Sequence, residues 1–201
     1  MADMESARRL YEDGLDAYRA GEYEEALEVM ARARQLFAEA GDRTAESEVL
    51  NDMGVVNVQL EEWDKAQELL DEALSIRVTL QERSAQGITL GNLGMMYARQ
   101  GEEEKAAEAY EQAIAIFHEL GEKGNEKAVA RQLSKLKIKK GKFLDALGDY
   151  QTELEGEEDL SGAQKMARRL FGVLGRFAGG AAIEEEEEEG DVIDVIPESD
   201  E

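Results

Sequence analysis

The chain has 201 residues, no cysteine, one proline and a formal net charge of −24. The missing cysteines exclude disulfides and thiolate metal sites, and nothing requires an oxidising compartment. Eleven of the carboxylates fall in residues 181–201 with no base among them, which leaves −13 for residues 1–180, a charge that repels nucleic-acid phosphates instead of displacing their counterions.

The stretch from Met1 to Ser6 is acidic and has no apolar run behind it, so it does not read as a secretory signal. No segment approaches the roughly 20 apolar residues of a membrane-spanning helix, which argues against a membrane partner and for a cytoplasmic protein. The proline, Pro197, lies almost at the end, and alternating β-branched runs are missing before residue 192. Together these features predict an all-α fold.

Ala26, Ala66, Ala106 and Ala146 stand forty residues apart, and other columns share their register. Twelve before each alanine lie Gly14, Gly54, Gly94 and Ser134; five before lie Gly21, Glu61, Gly101 and Gly141. Four after lie Met30, Leu70, Tyr110 and Tyr150, and seven after lie Ala33, Ala73, Ala113 and Glu153. A fixed period of this size marks a stacked array of supersecondary units. Four units of two antiparallel helices are expected, at about 7–41, 42–81, 82–121 and 122–154.

In the second unit Leu50, Met53, Gly54, Trp63, Ala66, Leu70, Ala73 and Leu74 form the apolar stripes. The third repeats the scheme from Ile88 to Phe117, with Gly101 breaking the run. Gly94 and Ala106 are expected to let its two helices approach closely, and Tyr97 and Tyr110 to fill the space towards the next unit. The fourth departs: Lys137 replaces the tyrosine and Glu153 the alanine. A buried glutamate there is costly, so the regular array is expected to end.

Residues 155–160 then read as an acidic linker, and Ser161 as the cap of an amphipathic helix over 161–178. That helix is expected to cap the last apolar face. Its Lys165, Arg168, Arg169 and Arg176 leave a lipid-facing reading open, against which its three glycines weigh. Residues 179–201 read as a disordered acidic tail. Its Val192, Ile193, Val195 and Ile196 form a short motif suited to a sheet edge or a groove, and a purely solubilising tail is the alternative.

Nothing in the sequence assembles catalytic chemistry. The lone histidine, His118, sits late in a helix, where a dipole-stabilising role suffices. Glutamate pairs such as Glu24-Glu25 read as solvated helix starts. No cofactor or metal site is implied, and the chain is not expected to be an enzyme.

The columns Leu93-Gly94, Tyr97, Gly101, Ala106, Tyr110 and Ala113, with fainter copies in the other units, resemble the tetratricopeptide repeat. The forty-residue period is similar to the extended variety found in kinesin light chain, in Leu-Gly-Asn-repeat polarity adaptors and in bacterial signalling proteins, and Gly91-Asn92-Leu93-Gly94 is the nearest local match. The resemblance implies a right-handed α-solenoid whose first helices line a concave groove.

On these residues it implies a groove of Tyr11, Leu15, Tyr18 and Arg19 at one end, and Asn51, Asp52, Val55, Gln59, Asn92, Met95 and Arg99 in the centre. Arg131, Lys135, Ile138 and Lys139 follow at the other end. Asn51 and Asn92 are expected to donate to and accept from an extended peptide backbone. Tyr11, Leu15 and Ile88 stand where a dicarboxylate clamp for chaperone tails needs polar or basic groups, which disfavours that ligand. The expected function is protein-binding adaptor, its partner a peptide or helix of another protein. The acidic tail is expected to compete for the basic block at residues 131–142. Assembly or self-association as a structural subunit is the alternative.

Overall fold

The computed structural model describes residues 4–137. They form seven helices: α1 Met4–Arg19, α2 Tyr23–Ala40, α3 Arg43–Gln59, α4 Trp63–Thr79, α5 Arg83–Gln100, α6 Glu103–Leu120 and α7 Lys123–Lys137. Among the described residues no helix is long and apolar enough to cross a membrane. The proposed cap, linker and tail lie outside the described residues, as do Ile138, Lys139 and the Val192 to Ile196 motif.

The helices keep a twenty-residue cadence because every turn is built alike. Residues 21, 41, 61, 81, 101 and 121 all take positive φ; four are glycine, and the others are Glu61 (φ 58°) and Gln81 (φ 61°). At each turn two backbone N–H groups close onto the preceding helix, as when Gly41 N–H donates to Ala38 O and Asp42 N–H to Phe37 O. These bonds satisfy carbonyls the helix end would leave open. One residue later an acid opens the next helix each time: Glu22, Asp42, Glu62, Glu82, Glu102 and Glu122. Asp42 reaches back to cap by accepting from Ala45 N–H at 3.1 Å, whereas Glu62 and Glu102 pair with Lys65 and Lys105.

Within each hairpin a glycine lies under a large side chain. A Cβ on Gly14, Gly54 or Gly94 would come within 2.6–2.7 Å of Met30 Cγ, Leu70 Cγ or Tyr110 Cδ1. The glycine column and the column four after the alanine are therefore one contact. Tyr110 lies over Gly94 and closes its own hairpin, a contact the expectation for its column did not include. Tyr97 lies between hairpins, but on the side of the preceding one. It packs against the cluster that joins Val58, Ala66 and Leu70 of the preceding hairpin to Leu93, Met96 and Ala109 of its own, and it carries Lys105 Nζ 5.2 Å from its ring centre. Ala26, Ala66, Ala106 and their companions Ala33, Ala73 and Ala113 are fully buried.

Candidate functional site

The first helices lie side by side and are tied by bonds spanning one repeat. Tyr11 Oη donates to Asp52 Oδ2 at 2.5 Å, joining α1 to α3. Asn92 Nδ2 donates to Asn51 Oδ1 at 3.1 Å, joining α5 to α3. A second row runs from Tyr18 Oη, which accepts from Gln59 Nε2 at 3.4 Å, to Arg99 Nη1, which donates to Gln59 Oε1 at 2.7 Å. Seven of the expected groove residues thus belong to rows across α1, α3 and α5.

The others are placed less uniformly. Leu15 and Val55 are buried, Met95 is half-buried against the apolar cluster shared by the second and third hairpins, and Arg19 pairs with Asp16 of its own helix. Arg131 and Lys135 are exposed on α7. The role expected of Asn51 and Asn92 needs correcting. Both are buried, and both amide nitrogens donate inside the protein. Asn51 Nδ2 donates to Asp52 Oδ1, while its Oδ1 accepts from Asn92 and, at 3.5 Å, from Arg77. They build the floor of the face instead of offering open amides.

The sequence reading missed the centre of that floor, Arg77. It occupies the position that Phe37 and Phe117 hold in the neighbouring hairpins, and it is equally buried. Opposite Phe117 lies Gly87, whose added Cβ would strike the ring at 2.8 Å; opposite Arg77 lies Ser47, whose Oγ accepts from Arg77 Nε at 3.2 Å. Arg77 Nη1 also donates to Thr89 Oγ1 at 2.7 Å and Ala85 O at 3.0 Å, and Gln86 Nε2 donates to Arg77 O. The signal was present in the sequence as an arginine inside an apolar column.

Burial, partly offset by the charges of Asp52, Glu48 and Glu82, lowers the Arg77 pKa from its usual value. Those same carboxylates crowd one another. Glu48 is raised, first by desolvation and then by Asp52, Glu82 and Asp42, with Arg77 opposing. Tyr11 is raised as well, by burial first and then by the charge and hydrogen bond of Asp52, so its hydroxyl stays a donor. A second ion cluster lies between hairpins, where buried Glu46 receives Arg43 at 2.5 Å and Arg34 at 3.9 Å, and Arg34 also reaches Glu72 at 2.6 Å.

Stacked helical hairpins with this turn and this close-packed glycine define the class as a helical-repeat protein. Tetratricopeptide-repeat profiles match residues 14–77 and 88–120. These stretches carry tetratricopeptide repeats. Its fold is similar to BtubC (BKLC) from P. vanneervenii, with a TM-score of 0.51 and 16% identity over 67% of this chain. The match spans 64% of that chain, and at such identity it speaks for the fold. No curated protein matches this chain. Repeats of this kind indicate an interaction or scaffold role.

Proposed function

We propose that the chain is a non-catalytic adaptor that holds a peptide or helical segment of another protein along the face formed by α1, α3, α5 and α7. The observation that carries this reading is the row of bonds from Tyr18 through Gln59 to Arg99, with Tyr11–Asp52 beside it. These bonds fix polar and aromatic groups of separate repeats in one register before any ligand arrives, which lowers the ordering cost of binding. Charged substitutions on this face, Asp52→Lys with Arg99→Glu, are expected to abolish recovery of partners from native extract. Glu68→Lys with Glu108→Lys, on the second helices, is expected to leave recovery unchanged. The reverse pattern would contradict the proposal.

Assembly is the second reading, favoured by one feature. Val78, Leu80 and Leu120 are large apolar side chains left exposed at the ends of α4 and α6. Concentration-dependent oligomers in light scattering, lost on Leu80→Lys with Leu120→Lys, would support it over the adaptor. The acidic C-terminal residues are proposed to tune partner choice by charge. Removing residues 181–201 should tighten binding of an acidic peptide at low salt, and unchanged affinity would set that aside.

A further inference from the structure

Arg77 is 4% exposed, yet its hydrogen bonds go to neutral oxygens: Ser47 Oγ, Asn51 Oδ1, Ala85 O and Thr89 Oγ1. Nε and Nη1 carry all of them. Nη2 has no hydrogen-bond partner among the described residues, and it is not sealed in, since Asn92 Oδ1 is the buried unpaired side-chain atom there. The guanidinium therefore keeps one N–H edge available, on a plane locked by three helices. A phenylalanine, as in the sister hairpins, would serve packing without the desolvation cost of a charge.

The charges around that edge describe what it can accept. Asp52, Glu48 and Glu82 are the carboxylates acting on Arg77, so an incoming carboxylate would meet three like charges. A main-chain carbonyl meets no such repulsion. Glu48 and Asp52 lie one turn apart on α3, a spacing that puts them on one side of the helix. Asp52 is held from both sides by Tyr11 and Asn51.

Resting on the adaptor reading above, we propose that Arg77 is the groove's backbone reader: Nη2 donates to a main-chain carbonyl of an extended segment of a partner protein, whose neighbouring lysine or arginine is received by Glu48 and Asp52. The ligand is thus a basic peptide at this point of the face. Asn51 and Asn92 act as positioning residues that hold the guanidinium.

The probe is a peptide enriched from a random library of about twelve residues panned against the full chain. Selected peptides should be rich in lysine or arginine, and replacing that residue with norleucine should weaken binding about tenfold. Arg77→Phe, which restores the sister residue, should weaken binding at least about tenfold while the chain still melts cooperatively. On the intact protein, the Arg77 guanidinium N–H resonance should shift when peptide is added, a readout that mere support of the fold would not move.

An unshifted resonance overturns the proposal even if Arg77→Phe fails to fold. So does a selected pool rich in acidic residues, or unchanged binding in a folded Arg77→Phe protein. If in those cases Asp52→Lys with Arg99→Glu still abolishes peptide binding, the adaptor reading survives and the Arg77 assignment alone falls. If that pair has no effect either, the adaptor reading falls with it.

Discussion

A single hydrogen atom in place of a methyl decides how closely each hairpin closes. Gly94 touches three atoms of the Tyr110 ring that any Cβ would meet below 3 Å, and the ring is buried. Gly94→Ala should therefore cost about 1–3 kcal/mol in urea unfolding. Gly124, with nothing within 4 Å, makes the control: Gly124→Ala should stabilise by about 0.5–1 kcal/mol. If both substitutions moved stability the same way, the packing account of the glycine column would fail.

Glu48 gives a second test, read by pH. Desolvation and its acidic neighbours raise its pKa in the fold, so the folded chain holds a proton that the unfolded chain has already released. Stability from this group is therefore present at acid pH and declines as pH rises through the raised value. Glu48→Gln should raise the Tm at pH 7, and the gain should vanish below the ordinary glutamate range. The glycine column was legible in the sequence because it repeats. Arg77 was not, because the repeat was read through its apolar positions, and the one polar exception in the Phe37 and Phe117 column carries the floor of the face.

At the scale of elements, the regular unit is the turn as much as the helix. Six turns share one backbone geometry, and two of them place Glu61 and Gln81 in a conformation that glycine adopts at less steric cost. Glu61→Gly and Gln81→Gly should each stabilise by roughly 0.5–1 kcal/mol, a reversal of the usual penalty for introducing glycine. Loss of stability in both would show that the side chains, not the backbone, set these turns. In the forty-residue register Gly21 and Gly101 marked the turns within hairpins, whereas Gly41 and Gly121, and the acid after each turn, join the same cadence only in the structure. Which helix contacts which was less legible. Nothing in the period pairs the Tyr110 column with the glycine twelve residues before Ala106, yet that glycine lies beneath the ring. Periodicity gives the members of a column but not the column they face.

For the molecule as a whole, the array and its family were readable from register alone, since many columns agree across units. The contents of the candidate face were readable only in outline. Residues forty or forty-one apart, such as Tyr18, Gln59 and Arg99, do meet in rows, but burial decides which of them remain available, and burial depends on the stacked neighbours. Charge also acts at this scale. With −24 on the chain, binding of a basic peptide should weaken as salt rises from about 50 to 500 mM, because exposed charges are screened beyond about 10 Å at 0.1 M. Salt-independent affinity would point to an apolar contact surface instead. The central claim, that partners are held on the first-helix face, is tested most directly by placing a photo-crosslinking residue at Met95 on α5 or at Glu68 on α4 and irradiating native extract. The account predicts a discrete crosslinked partner from Met95 and none from Glu68; crosslinks from Glu68 alone would contradict it.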